Sequence, residues 1–272
     1  LNLGTIVGLV VAIICIFAAA LVEAGHEGPA AMVRLLNFPG ALIVFGGTIG
    51  ATMTCFSLKD FLKVGQYLGV AFKETKTEAP GLIAQMVQFA EVARKEGLLK
   101  LEELVSTVEN TFLRKGIQLI VDGTDPAVTR EILENEVNCM EERHKVGVQL
   151  FQQAGGFAPT MGMIGTVMGL VNVLANLNDT ASLGPAISTA FIATFYGVFT
   201  ANILWLPLAT KLKALNKQEV EICQIIIEGV SSIQAGDHPR VINDKLVAFL
   251  SPSKRELPQV EAAGGAVGVD NG

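Results

Sequence analysis

Val146–Asn178 reads VGVQLFQQAGGFAPTMGMIGTVMGLVNVLANLN, 33 consecutive residues without an Asp, Glu, Lys, Arg or His. A helix needs about 20 apolar residues to cross some 30 Å of hydrocarbon. This stretch exceeds one crossing, so its helix is expected to run past the bilayer on one side or to tilt within it. Three more uncharged runs surround it, at Leu1–Val22, Leu35–Leu58 and Thr180–Thr210. Together they set the expected fold class: an all-α, polytopic membrane protein with four transmembrane helices and a helical cytoplasmic domain.

The composition agrees. Of 272 residues, 50% are hydrophobic and 17% charged, with a mean hydropathy of +0.48. A soluble domain carries about a quarter charged residues. The first run lacks a basic segment and exceeds the apolar core of a signal peptide, so it is expected to stay as a span. Lys59–Lys145 holds 12 of the 20 Lys and Arg, and the stretch from Lys211 holds 7, leaving Arg34 alone on the other side. The positive-inside bias then makes these segments, and both termini, cytoplasmic. A net charge of −6 without a basic face argues against a nucleic-acid partner.

The expected organisation is 1–58, spans one and two with a short outer loop; 59–145, a cytoplasmic helical domain; 146–210, spans three and four; 211–250, C-terminal cytoplasmic helices; and 251–272, a disordered tail. Within 59–145, Ile83, Met86, Val87 and Ala90 recur at helical spacing, as do Leu98, Leu101, Leu104 and Val105. Breaks are expected at Gly97, at Gly116 and between Asp122 and Pro126. Asp125 with Pro126 is a helix start that leads through Glu131–Glu142 into the third span.

Chemistry-bearing motifs are scarce. No phosphate-binding loop, dinucleotide fingerprint or His/Glu metal pair occurs, which excludes the common ATPase pattern and implies neither enzyme activity nor a cofactor. His26, His144 and His238 sit at expected loop or helix ends in surface or capping roles. Cys15, Cys55, Cys139 and Cys223 lack metal spacing and are expected to be reduced, buried packing residues.

The absence inside the membrane is more informative. An ion path through hydrocarbon ordinarily needs an ionisable group, and none of the four runs has one. If this chain conducts ions, a partner must supply the carboxylate. Small residues recur every four positions, at Ala158, Gly162 and Thr166, at Gly165 and Gly169, and at Thr189, Ala193, Gly197 and Ala201. Such stripes allow close helix packing. Pro159 and Pro207 each remove a helical donor, freeing the carbonyls of Gly155 and Ile203. Thr166 and Thr194 fall near mid-membrane, where their hydroxyls can contact an ion or bond back to their own helices. Arg94 and Lys95, followed after Gly97 by Glu102 and Glu103, form either a solvated charged face or a docking surface.

The stretches FPGALIVFGGT (38–48), ARKEGLL (93–99) followed by LEE (101–103), APTMGMIGTVMGL (158–170) and ATFYG (193–197) with the later Pro207 resemble the MotA/PomA family over nearly the whole chain. The resemblance implies the A-type stator subunit of the bacterial flagellar motor, in the inner membrane. In that family five copies surround two copies of a single-span MotB/PomB-type partner that bears the ion-binding aspartate. Ion flux drives torque on the rotor protein FliG. Carried over by residue, Pro159 and Pro207 match the coupling prolines and Thr166 the threonine near the ion path. Arg94, Lys95, Glu102 and Glu103 match the charges used against FliG.

Sodium-type members carry two consecutive threonines where this chain has Ala193 and Thr194. Loss of one hydroxyl removes a ligand for a hard cation, so H+ is the expected ion, with Na+ still open. The competing functions are an ExbB/TolQ-type energiser, which usually has three spans, a channel or transporter acting alone, and a passive scaffold.

Overall fold

The computed structural model describes residues 3–23, 25, 33, 35–73, 79–178 and 180–252. His26, Arg34 and the proposed tail from residue 253 onward lie outside them. Four helices are long and apolar enough to cross a membrane. Helix α1 is Leu3–Glu23, and α2 runs over Phe38–Cys55 with a π-helical turn at Leu42–Gly46. Asn37 starts α2 by accepting a hydrogen bond from Gly40 N (2.8 Å), with Pro39 in the first turn, where a missing N–H costs nothing.

Short helices α3 (Leu58–Phe61) and α4 (Val64–Phe72) follow, with Ser57 capping α3. The chain continues through α5 (Ala79–Glu96), a 3-10 turn at Leu98–Lys100, α6 (Leu101–Val105) and α7 (Thr111–Val121). Helix α8 then extends without interruption over Pro126–Ala175, 50 residues or about 75 Å. Its start is the expected one: Asp125 Oδ1 accepts from Ala127 N at 2.9 Å, and Pro126 occupies the first helical position. The fourth span is α9 (Thr180–Thr200), a π-helical turn at Ala201–Trp205 and α10 (Leu206–Gln234), and α11 (Pro239–Val247) closes the order.

Contacts divide the chain into Leu1–Thr75 with Asn138–Gln218, and Lys76–Val137 with Glu219–Gly272. The first unit holds the four apolar helices. Helix α1 touches the Ala201–Trp205 turn, and Phe17 meets Phe199 edge-on at 6.2 Å. A second apolar cluster gathers Ala71 of α4, Val148 and Phe151 of α8, and Leu208, Ala209 and Leu212 of α10, with Trp205 stacked on Phe151 at 6.2 Å.

The second unit has a helical core of its own, including Met86 and Phe89 (α5), Leu113 and Ile117 (α7), Leu133 (α8), Ile226 and Ile233 (α10), and Ile242 and Leu246 (α11), all under 4% exposed. The periodic apolar positions found in the sequence at Ile83, Met86 and Ala90 are among its buried residues.

Three expectations require correction. Gly116 does not break the chain: it lies inside α7, where an added Cβ would come within 2.8 Å of Val230 Cγ2, so the missing side chain serves helix contact. Gly97 does end α5, with φ at +89°, a region favourable only to glycine. His144 lies within α8, bonded to Asn216 Oδ1 at 2.9 Å, rather than at an end, whereas His238 caps α11. Of the cysteines only Cys223 is buried, while Cys15, Cys55 and Cys139 are exposed in the single chain.

Burial pushes the Cys223 thiol up to about 12, with the charges of Glu219 and Glu136 adding to the effect. Thiolate is the reactive form. Maleimide labelling of the purified chain at pH 8 is therefore expected to modify Cys139 within minutes and Cys223 only after denaturation, read by peptide mass spectrometry.

Candidate functional site

Helices α8 and α9 meet through the small residues of the stripes. A β-carbon added to Gly162 would lie 2.9 Å from Ala193 O and 3.0 Å from Thr194 Cα, and one added to Gly197 would lie 2.5 Å from Ala158 O and 3.1 Å from Pro159 Cα. Further along, Gly165 faces Ala193 Cβ and Gly169 faces Ala190 Cβ, each at 2.6 Å by the same measure. The two backbones thus touch over three helical turns. The small-residue spacing is a contact surface between the third and fourth spans, as the packing reading of the sequence had it.

This approach brings Thr166 and Thr194 together. Their hydroxyls share a short hydrogen bond, and Thr166 Oγ1 also lies 3.2 Å from Gly162 O and 3.1 Å from Ala190 O, with Thr194 Oγ1 3.4 Å from Gly162 O. Four oxygens from two helices therefore converge where neither helix offers a charge. Thr166 bonds back to its own helix and across the pair, whereas Thr194 bonds across it, to Thr166 and Gly162.

Pro159 lies about 10 Å along α8 from Thr166, seven residues away, and directly opposite Gly197. Pro207 is exposed near the start of α10 and follows the Ala201–Trp205 π-turn, in which Leu206 N donates to Ala201 O, five residues back. The helix thus changes hydrogen-bond register next to the residue that has no donor. Ala193 is 1% exposed, against Gly40 of α2 and Gly165 of α8.

Sequence reasoning missed a polar clasp between α2 and α9. Asn37 Nδ2 donates to Thr189 Oγ1 at 2.9 Å, Asn37 N donates to Tyr196 Oη at 3.1 Å, and Tyr196 in turn donates to Leu35 O. The Asn-x-Pro pattern at 37–39 marks a helix start, but its long-range partners have no local signal. Both π-turns were likewise invisible to periodicity.

The charged candidates stand in the second unit. Arg94 and Lys95 end α5, and Glu102 and Glu103 occupy the first turn of α6, each sign favourable at its helix terminus. All four are exposed. Glu103 accepts from Lys100 at 2.7 Å, and this bond, followed by the Glu103 charge, raises the lysine's pKa. Lys95 stands 4.0 Å from Glu91. Arg94 and Glu102 have no ion pair among the described residues.

Four apolar helices, a charge-free glycine contact between the last two and a second helical unit define a polytopic membrane protein. A family pattern described as the MotA/TolQ/ExbB proton channel family matches residues 105–225. Motility protein A of Bacillus subtilis is 42% identical over 228 residues, 84% of each chain. Chemotaxis protein PomA of Vibrio alginolyticus is 37% identical over 257 residues, 94% of this chain and 98% of its own. Among solved structures, C. jejuni MotAB matches with a TM-score of 0.88 at 32% identity, covering 95% of this chain and all of that one. The flagellar MotAB stator complex from Bacillus subtilis matches at 0.82 and 40%, covering 90% and 96%. The chain belongs to the motility protein A family, the A-type subunits of flagellar stators, which supports the stator reading rather than the ExbB-type energiser.

The backbone contact has a direct test. Gly197→Ala is expected to cost about 1–3 kcal/mol through overpacking against Ala158 O, whereas Gly184→Ala, which meets nothing within 4 Å, is expected to be neutral or slightly stabilising. Thermal unfolding of the two variants in detergent measures the difference.

Proposed function

We propose that this chain is the ring-forming subunit of an ion-driven stator, five copies around a dimer of a single-span partner, with both termini and the 59–145 insertion in the cytoplasm. The observation that carries the reading is the paired hydroxyls of Thr166 and Thr194 in a helix contact that lacks any carboxylate. The partner brings the missing aspartate, and the hydroxyl and carbonyl oxygens line its approach without fixing a charge of their own. Ala193, held among glycines, supplies no hydroxyl, which favours H+ over Na+. The subunit makes and breaks no covalent bond and needs no cofactor.

In this reading Pro159 and Pro207 couple protonation of the partner's carboxylate to movement. A proline leaves its helix with a carbonyl free of its usual donor, so the segment bends at lower cost. Pro159 opposes Gly197, which lets such bending reach the α8–α9 contact. Arg94, Lys95, Glu102 and Glu103 engage complementary charges on the rotor protein FliG. Exposed charges steer and register an encounter yet leave it easy to release.

Tethered-cell rotation in a stator-deleted host, with the chain and its single-span partner co-expressed and sodium scanned at fixed pH and membrane potential, tests this. Rotation is expected to persist without sodium; a sodium requirement would overturn the proton assignment. Pro159→Ala, Pro207→Ala and Arg94→Glu are each expected to assemble normally and lose torque. Unchanged rotation in all three would make the chain a passive scaffold.

A further inference from the structure

Helices α3 and α4 follow the second span and lie in the first unit. Val64, Tyr67, Leu68 and Ala71, at helical spacing, pack on Val148, Phe151, Leu208, Ala209 and Leu212. The other side is exposed and carries large apolar groups beside Gln66: Leu58 is 62% exposed, Leu62 73% and Val70 50%, and α4 contains no charged residue. Exposed apolar groups at the foot of the spans need a cover that is itself apolar.

Cations surround this layer. Lys59 lies within α3 and Lys73 follows α4, Lys211 and Lys213 bracket the cluster residue Leu212, and Arg143 precedes Val148 by five residues, about 7.5 Å of helix. None of the five has an ion pair among the described residues. The acidic groups described near them are already engaged: Asp60 accepts from Ser57 and Lys63, and Glu141 and Glu142 both meet Lys145. The layer thus presents free positive charge beside exposed leucine and valine, the two halves of an anionic amphiphile's complement.

We propose that α3–α4, with Lys59, Lys73, Arg143, Lys211 and Lys213, is a docking surface for the headgroups of anionic phospholipids in the cytoplasmic leaflet. From the proposed function it takes only the membrane orientation. The apolar side chains reach the acyl region while the cations meet phosphate, and each such cation adds about one fivefold step of attraction to an anionic surface. A protein partner of acidic character would satisfy the lysines but leave Leu58, Leu62 and Val70 uncovered.

The test uses the complex with its single-span partner, in nanodiscs of phosphatidylcholine alone or mixed with phosphatidylglycerol, with retained lipids counted by native mass spectrometry and the thermal midpoint recorded. Phosphatidylglycerol is expected to be enriched among the retained lipids and to raise the midpoint. Neutralising Lys59, Lys211 and Lys213 together (Lys→Gln) is expected to reduce that enrichment by about fivefold per lysine, whereas the Lys→Arg triple keeps it. Equal retention of the two lipids, or a Gln triple indistinguishable from its parent, would overturn the proposal. So would inorganic phosphate raising the midpoint equally in phosphatidylcholine discs, which would mark a free-anion site. Disulfide pairing between Leu62→Cys copies would assign the surface to a neighbouring subunit and would overturn it too.

Discussion

Contact between two helix backbones inside hydrocarbon is the constraint on which this structure depends. Apolar side chains gain nothing by leaving lipid for one another, so helices there associate through close packing and hydrogen bonds. Gly162 and Gly197 bring α8 and α9 near enough that no β-carbon fits between them. That approach puts the hydroxyls of Thr166 and Thr194 within bonding distance and sets Pro159 against the opposite helix. A larger residue at either glycine would separate the chains and break up the oxygen cluster with them.

Polar groups elsewhere in the first unit follow the same logic. Water is absent from the hydrocarbon region, so hydroxyls and amides turn to backbone carbonyls and to one another. Thr52 bonds to Thr48 O and Thr200 to Tyr196 O, while Asn37, Thr189 and Tyr196 tie the start of α2 to α9. Thr48 is the exception, its buried hydroxyl having no partner among the described residues. The second unit is built on water-driven burial instead. It has an apolar core, exposed ion pairs such as Lys245 with Asp237, and helix ends charged to match their dipoles.

Much of this was legible beforehand. Four uncharged runs announced four spans because the cost of charge in hydrocarbon leaves a mark on composition alone. Asp125-Pro126 announced the start of α8, since capping chemistry acts between neighbours in sequence. Small residues at four-residue spacing announced a helix contact. Gly116 misled for a related reason: a glycine reads as a break wherever its contact is out of view, and here that contact is Val230, more than a hundred positions away.

The amino-acid sequence by itself therefore determined the number of spans, the absence of charge within them, and the local starts and stops of most helices. These depend on residue type and near neighbours. Only the tertiary structure decided that Thr166 meets Thr194, that Ala193 is enclosed by glycines of two other helices, that Tyr196 reaches Leu35 and that α2 and the fourth span carry π-turns. Each of these arises from helices brought together over tens of residues, where side-chain size and hydrogen-bond geometry in three dimensions, rather than spacing along the chain, choose the partner.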